Sequence, residues 1–282
     1  MQVGKYKISY IETGSFALDG GAMFGVVPRP LWEKTNPPDE INRITLGARL
    51  LLLESANRKI LVDTGLGGDW NDKFRRIYRV NQLQEPLLSS LSKKNITSEE
   101  ITDVILTHLH FDHTGGSTKL VDGKWLPTFP NAKYYVQEKQ FEWARNPSER
   151  DRASFFNERF LPLYEHNQLE LLNGKYNLDD EIELIVVNGH TFSQQLVKVA
   201  DSSNTLLYCA DLFPTSSHIP IPYVMAYDLQ PLITIEEKKD ILKSAIKENW
   251  ILFFEHDPFS AAATVTQTDK GYSVKEKFEQ LV

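Results

Sequence analysis

The chain carries the segment THLHFDHTGG at residues 107–116, directly after the apolar run VIL at residues 104–106. Three histidines and an aspartate fall within residues 108–113, although the 282-residue chain has only 7 histidines. Neutral imidazole and ionised carboxylate groups are ligands of zinc, manganese, iron and cobalt, and a short loop can direct alternate side chains at two neighbouring ions. The segment therefore predicts a metal site.

Three further candidate ligands each follow a run of branched and aromatic residues that is typical of a buried strand. These runs are ELIVV at 183–187 before His190, LLYCA at 206–210 before Asp211, and WILFF at 250–254 before His256. The carboxyl ends of strands in an α/β sheet are where ligands collect. We therefore expect the three side chains to converge on the first motif.

These positions together resemble the signature of the metallo-β-lactamase superfamily, which is His-x-His-x-Asp-His followed by a distant His, Asp and His. All seven positions are filled here, and ILVDTG at residues 60–65 resembles the family's early strand ending in an Asp-x-Gly turn. The resemblance implies an α/β fold, a four-layer αβ/βα metallo-β-lactamase sandwich. A single domain over residues 1–282 is expected, because one α/β domain commonly has about 250 residues and 41% of this chain is hydrophobic. The resemblance also implies a site for two divalent metal ions.

The resemblance further implies how the ligands divide between the two ions. They are His108, His110 and His190 for one ion, Asp112, His113 and His256 for the other, and Asp211 as the bridge. Asp63 is then expected behind them, where its hydrogen bonds would hold the liganding loop in place. Zinc is the expected metal, with manganese, cobalt and iron as alternatives, because His and Asp ligands admit all four.

Two other stretches resemble the quorum-quenching lactonases of that superfamily, which open the ring of N-acyl-homoserine lactones. They are LDGGAMFGVVPRPLW at residues 18–32 and the segment from ADLFPT at 210–215 to AYD at 226–228. One position departs from the pattern: those lactonases have a tyrosine three residues after the bridging aspartate, where this chain has Pro214. The resemblance implies a lactonase as the leading functional hypothesis.

The expected reaction is metal-assisted hydrolysis. Two cations a few ångströms apart lower the pKa of a shared water, so that hydroxide exists near neutral pH and can attack a carbonyl carbon. One cation polarises the carbonyl oxygen, and the other can hold the leaving oxygen. Asp112 is the candidate catalytic residue, as a proton shuttle.

Alternatives of other classes stay open. A phosphotriesterase (an organophosphate hydrolase) or a glyoxalase-type thioesterase would use the same dinuclear site. A flavin-linked di-iron oxidoreductase is disfavoured, because that branch resembles His-x-Glu-x-Asp-His and this chain has His110 at the second position. A metal-binding module that is not an enzyme is the remaining alternative, and the complete ligand set disfavours it.

Four residues are candidates for substrate binding. The segment at 22–32 has too many apolar residues for a solvated connection, so it could line an acyl-chain pocket, cover the core or form a homodimer contact. His218 lies seven residues after the predicted bridging aspartate and could reach the substrate or face solvent. The candidates are Phe24, Phe213, His218 and Tyr223.

The charge balance disfavours nucleic acid as a partner. The chain has 31 basic and 38 acidic residues and a formal net charge of −7. A phosphate backbone requires a basic stripe or patch, which this balance does not favour. A small-molecule substrate is therefore the expected partner.

A cytoplasmic location without a membrane partner is the expectation. The start of the chain, MQVGKYK, alternates polar and apolar residues and lacks the apolar core of a signal peptide. Apolar runs such as LLLL at residues 50–53 are much shorter than the roughly 18 residues of a membrane span. The single cysteine, Cys209, excludes an intrachain disulfide and is expected as a small buried residue.

Local patterns predict the remaining secondary structure. TSEE at residues 97–100 has the pattern of a capping box ahead of a strand at 103–107. Other segments show the apolar alternation of strands or the amphipathic spacing of helices. The predicted strands are 3–13, 44–53 and 59–63, and the predicted helices are 86–94, 138–145, 154–166 and 235–248.

Overall fold

The structure, a computed structural model, describes residues 1–83 and 85–281. Its helices are α1 Gly20–Phe24, α2 Arg29–Trp32, α3 Asp72–Ile77, α4 Pro86–Ser92, α5 Phe111–Thr114, α6 Glu138–Arg145, α7 Leu161–Glu165 and α8 Pro231–Glu248. Its strands are β1 Gln2–Val3, β2 Tyr6–Asp19, β3 Arg43–Glu54, β4 Lys59–Val62, β5 Asp103–Ile105, β6 Thr118–Val121, β7 Lys124–Pro127, β8 Lys133–Gln137, β9 Leu169–Leu172, β10 Tyr176–Asn177, β11 Ile182–Val187, β12 Gln194–Ala200, β13 Thr205–Tyr208, β14 Ile251–Phe253, β15 Ala262–Thr268 and β16 Gly271–Phe278.

The strands form two large sheets. The first has the order β1-β2-β3-β4-β5-β8-β9, and the second has the order β10-β11-β12-β13-β14-β15-β16. Strands β4, β5, β8 and β9 are parallel neighbours in the first sheet, as are β13 and β14 in the second. Parallel pairing brings the carboxyl ends of neighbouring strands to one edge, which is where the predicted ligands follow them.

Strand β3 shows how the sequence builds the layers. Successive side chains of a strand point to opposite faces of the sheet. Leu51 and Leu53 accordingly pack into the core between the two sheets, together with Leu184 of the second sheet. Leu50 and Leu52 pack into a separate core on the other face of the first sheet. A run of four leucines is thus buried on both faces, and burying each side chain contributes about 1.5–3 kcal/mol to stability.

Helices cover the outer faces. Leu87 and Leu91 of α4 and Phe141 of α6 pack against the outer face of the first sheet. Ile241 and Leu242 of α8 pack with the second sheet. The arrangement is helix, sheet, sheet, helix, as the predicted four-layer α/β sandwich requires. Within residues 1–83 and 85–281, none of the helices has both the length and the apolar character needed to cross a membrane.

Most predicted elements are confirmed, and β2 is longer than expected. The helix at 138–145 has the predicted bounds, and the capping box between Thr97 and Glu100 is present. Strand β2 continues to Asp19 because its pairing with β3 resumes after a bulge near Gly14, whose φ of 121° suits glycine. Cys209 is fully buried, as predicted.

The predicted helix at 154–166 is wrong. The segment forms 3₁₀ turns at Arg152–Ser154 and Asn157–Arg159, followed by the short helix α7. Pro162 lacks a backbone N–H and is accepted only in the first turn of a helix, so α7 begins beside it. The buried Arg159 guanidinium donates to the carbonyls of Gly68 and Gly115, both at 3.1 Å. These tertiary contacts outweigh the helical pattern of the segment.

Candidate metal centre

The local backbone of the first motif separates its ligands into two pairs. Residues up to His110 are outside a helix, and His110 itself has extended φ and ψ of −65° and 154°. Helix α5 then begins at Phe111 and carries Asp112 and His113 in a single turn. The change from extended to helical backbone directs His108 and His110 into one cluster and Asp112 and His113 into another.

The first cluster brings three histidines and an aspartate together. Nδ1 of His110 lies 3.0 Å from Nε2 of His108 and 3.1 Å from Nε2 of His190. Oδ2 of Asp211 lies 3.2 Å from Nε2 of His190 and 3.9 Å from Nε2 of His108. All four side chains are buried. Residues that are far apart in the sequence thus bring their candidate ligand atoms into one compact cluster.

The second cluster contains the remaining predicted ligands. The Nε2 atoms of His113 and His256 are 3.2 Å apart. Oδ2 of Asp112 lies 3.8 Å from Nε2 of His256, and Oδ1 of Asp211 lies 3.3 Å from the same nitrogen. The second oxygen of Asp211 therefore faces this cluster, while its first oxygen faces the other. The carboxylate lies between the two groups, as a bridging ligand would.

Strained backbone accompanies this geometry. Ala210, directly before Asp211, has a φ of 44°, and Asp63 has a φ of 59°. Residues other than glycine seldom adopt this left-handed region, and they do so mainly where the surrounding structure imposes it. Both positions border the clusters.

The ligand atoms fit divalent cations. Metal bonds of about 2.0 Å at tetrahedral angles separate ligand atoms by about 3.3 Å, which is close to the nitrogen and oxygen separations of both clusters. Oδ1 of Asp211 is buried and accepts no hydrogen bond from the described residues. A buried carboxylate oxygen without a donor needs a cation or another partner. The two clusters are therefore suited to metal binding.

The electrostatics of the buried groups agree with this. Burial and neighbouring imidazoles hold the pKa of His108 and His110 well below the usual range, which keeps both rings in the neutral form that can bind a metal. Burial also opposes the charged form of His256, but the Asp211 and Glu255 carboxylates together outweigh it and raise the pKa of His256 to about 9. These carboxylates thus attract positive charge into the centre, and metal ions would compete with protons for that place.

Hydrogen bonds behind the ligands hold the motif in position. The Asp63 carboxylate accepts from the backbone N–H and the hydroxyl of Thr107, both at 2.7 Å, and lies 3.0 Å from Nδ1 of His113. Nδ1 of His113 is also 2.9 Å from Glu255, whose carboxylate accepts from the Tyr208 hydroxyl. Asp63 therefore joins the end of β4 to the loop that carries the candidate ligands.

The sequence analysis did not predict two carboxylates that support the candidate ligands, Asp228 and Glu255. Asp228 lies 3.0 Å from Nδ1 of His190 and also accepts from the backbone N–H of Met225. Glu255 was visible only as the residue before His256. The AYD segment at 226–228 had carried part of the family resemblance, but no local pattern linked its aspartate to a histidine 38 positions away.

Removing the Asp228 carboxylate is expected to weaken metal binding by the first cluster. Asp228→Ala leaves Nδ1 of His190 without its acceptor, so that the ring loses a fixed orientation. Loss of such a partner lowers metal affinity or activity by about 10–100-fold. Zinc titration against a competing chelator measures the change, with Asp240→Ala on the exposed face of α8 as the control. Unchanged affinity in Asp228→Ala would contradict the supporting role.

A cavity of about 360 Å³ opens directly onto both clusters. This volume is within the range of small-molecule sites. Its apolar wall includes Leu18, Met23, Leu46, Met225 and Leu229, and its polar wall includes Tyr78, Arg150, Ser154 and Tyr227. Asp112 also lines the cavity, so that its carboxylate is accessible to a bound ligand.

The predicted substrate-binding residues lie outside this lining. Phe24 and Phe213 are fully buried, and His218 is 1% exposed. Tyr223 packs edge-on against Phe24, at 6.0 Å between ring centroids. Phe24 belongs to the core that covers the sheet, where its ring stacks on Trp32, whereas Met23 of the same core also lines the cavity.

Comparison with known proteins identifies relatives of this chain. The model of the metallo-β-lactamase superfamily matches residues 49–263. The N-acyl homoserine lactonase AiiA of Bacillus thuringiensis subsp. kurstaki is 26% identical over 218 residues, which cover 73% of this chain and 79% of that protein.

Solved structures share the fold. A probable metal-dependent hydrolase from Staphylococcus aureus has a TM-score of 0.90 and 29% identity, with 100% of both chains covered. AidC, a dizinc quorum-quenching lactonase in complex with a product, N-hexanoyl-L-homoserine, has a TM-score of 0.79 and 20% identity, with 97% of this chain and 95% of that chain covered. The predicted sandwich fold is thereby confirmed.

Proposed function

We propose a lactonase function for this chain, which belongs to the metallo-β-lactamase superfamily and is a metal-dependent hydrolase. The proposed substrates are N-acyl-homoserine lactones. The observation that carries the proposal is the apolar-walled cavity that opens directly onto the paired His and Asp clusters. A reactive carbonyl can lie at the clusters while an acyl chain lies along the wall.

We assign the predicted ligands to two ions on the basis of the two clusters. His108, His110 and His190 would hold one ion, and Asp112, His113 and His256 the other, with Asp211 shared between them. Zinc is the metal we propose, because the neutral imidazoles and the ligand spacing suit its tetrahedral coordination. The bound ions would supply Lewis acidity toward the carbonyl oxygen and an activated water.

Residues of the chain would bind the substrate and move the proton. Asp112 lines the cavity beside the second cluster, so it can take a proton from the attacking water and return it to the leaving oxygen. Burial raises the pKa of the Tyr78 and Tyr227 hydroxyls, which keeps them protonated as hydrogen-bond donors inside the cavity. They can donate to the polar oxygens of a bound lactone. Pro214, at the position where the quorum-quenching lactonases have a tyrosine, has no hydroxyl for this role.

The apolar wall favours an acylated substrate. Met23, Met225 and Leu229 line the cavity that also contains the clusters, so an acyl chain attached to the lactone can leave water as the ring binds. Each buried methylene contributes about 0.8 kcal/mol to binding. The apolar wall disfavours the polar glutathione moiety of a glyoxalase-type thioester, although that reaction could use the same ions.

The proposal is tested by following acid release from a panel of N-acyl-homoserine lactones with short and long acyl chains. Zinc-loaded protein is expected to open them with a kcat/KM above about 10⁴ M⁻¹ s⁻¹. A phosphotriester and a glutathione thioester are run alongside. Inactivity toward every lactone, with turnover of either comparator, would overturn the lactone assignment and move the substrate to that class.

The remaining features of the protein stay predictions. A single domain over residues 1–282, a homodimer and a cytoplasmic location belong to this group. Sedimentation of the purified chain measures its oligomeric state directly.

A further inference from the structure

Three stacked rings connect the loop after Asp211 to the helices beside the cavity. The His218 and Phe24 rings are 4.7 Å apart between centroids and nearly parallel, at 7°. Phe24 in turn stacks on Trp32, at 5.3 Å and 8°. All three side chains are buried. The stack joins α1 and α2 to the 3₁₀ turn at Ser216–His218.

Both ring nitrogens of His218 are engaged. Nε2 lies 2.9 Å from the carbonyl oxygen of Met23, and Nδ1 lies 2.8 Å from the hydroxyl of Thr215. A carbonyl only accepts hydrogen bonds, so Nε2 carries the proton and donates, while Nδ1 accepts from the threonine. Burial lowers the pKa of His218 to about 4, so this neutral arrangement persists near neutral pH.

The residue that His218 binds is part of the cavity wall. Met23 lines the cavity, and the neighbouring carbonyl of Ala22 accepts from the backbone N–H of Ala226, at 2.8 Å. Met225, directly before Ala226, also lines the cavity. Helix α1 and residues 224–226 approach each other closely at Gly25, where an added Cβ would lie 2.6 Å from a backbone oxygen. Helix α1 and residues 224–226 therefore form one continuous piece of wall.

The same loop is held from its other side by a buried lysine of α8. Nζ of Lys238 donates to the carbonyls of Pro220 and Tyr223, at 2.9 and 2.8 Å. This contact fixes the loop against α8, whereas His218 fixes it against α1. Without His218, the loop keeps its attachment to α8 and the hydrogen bond from Ala226 to Ala22, but the Met23 carbonyl loses its donor.

We propose that His218 is a positioning residue that fixes Met23 and Met225 in the cavity wall and so determines how well a long apolar chain on the substrate is bound. The inference rests on the proposed function only in taking this cavity as the substrate site. A short chain held at the clusters does not need the wall, so its binding does not depend on His218. A long chain contacts the wall and does depend on it.

The test measures binding of two carboxylates, butyrate and decanoate, to zinc-loaded protein. Neither is turned over, so the result is independent of catalysis. The chain has 3 methionines, and two of them, Met23 and Met225, line the cavity. Labelling the methionine methyl groups with ¹³C therefore gives NMR signals at the wall itself, with Met1 as an internal reference.

The main variant is His218→Phe, which keeps an aromatic ring for the stack but removes both hydrogen bonds. We expect it to shift the Met23 and Met225 signals and to raise the Kd of decanoate roughly tenfold, because a buried hydrogen bond is lost. The Kd of butyrate should stay within about twofold, which is near the smallest effect expected of a lost hydrogen bond. His218→Gln retains a donor for the Met23 carbonyl and should recover most of the decanoate affinity.

The matched control is His166→Phe, the same substitution at an exposed histidine far from the stack in sequence. It should change neither Kd. If His218→Phe does not fold, Thr215→Val is tested instead, because it removes the donor to Nδ1 and the acceptor of the Ser217 N–H but keeps the bond from Nε2 to Met23. It should raise the Kd of decanoate about threefold. An unchanged ratio of the decanoate and butyrate Kd values in the folded variant, or no decanoate binding to the wild type, would overturn the inference.

Discussion

The Asp211→Asn variant is expected to lose bound metal and to turn over substrate on the order of a thousandfold more slowly, because a bound metal contributes several kcal/mol to transition-state stabilisation. Asp211 places one carboxylate oxygen 3.2 Å from Nε2 of His190 and the other 3.3 Å from Nε2 of His256. An asparagine is neutral, and one end of its amide donates hydrogen bonds instead of accepting a cation. At most one cluster would keep an oxygen ligand from this position.

Metal content by mass spectrometry and kcat on the best substrate of the panel measure these two losses. Asp269→Asn, in the exposed turn between β15 and β16, makes the same chemical change far from the centre in the fold and should leave both values unchanged. A fully metallated and fully active Asp211→Asn protein would contradict the bridging assignment.

Removal of the metals is expected to lower the thermal stability of the chain substantially. Both clusters are buried, and chelation leaves Asp211 with only the neighbouring imidazoles to balance its charge. A ligand present at 100 to 1,000 times its Kd stabilises the folded state by about 2.7–4.1 kcal/mol. For a chain of this size, the midpoint of unfolding should fall by roughly 5–15 °C.

Thermal unfolding before and after dialysis against a chelator measures the shift. Added zinc should restore the midpoint, whereas magnesium should not, because it prefers octahedral oxygen ligands. An identical midpoint in protein shown to be free of metal would mean that the clusters do not couple metal binding to folding.

The two His and Asp clusters could be anticipated from the sequence because the candidate ligands occur at informative places. His108, Asp112 and their neighbours form a dense local motif, and His190, Asp211 and His256 each follow a recognisable strand. The structure shows why such distant positions meet. Strands β13 and β14 are parallel neighbours, so their carboxyl ends deliver Asp211 and His256 to the same edge of a sheet.

The cavity wall was less predictable, because its residues come from loops and short helices that lack a period. Tyr78 follows α3, Arg150 follows α6, and Tyr227 lies in the long loop before α8. Only tertiary packing brings them together. The same reason explains why Phe24 was expected at the substrate: an apolar residue in a short segment can face either the core or the cavity, and composition does not distinguish the two.

The predicted helix at 154–166 failed for a related reason. Its amphipathic pattern was genuine, since Phe155, Phe160 and Leu163 are all buried. The guanidinium of Arg159, however, lies between the rings of Trp70 and Trp125, at 4.7 and 4.2 Å from their centroids. A contact with two distant segments is not encoded in local periodicity, and it bends the chain into 3₁₀ turns.

The most direct test of the dinuclear centre is anomalous diffraction from crystals of zinc-loaded protein, recorded above and below the zinc absorption edge. We predict two anomalous peaks about 3.5–4 Å apart, the separation typical of two-metal sites. One peak should lie among His108, His110 and His190, the other among Asp112, His113 and His256, with the Asp211 carboxylate between them. A single peak, or two peaks away from these clusters, would contradict the account.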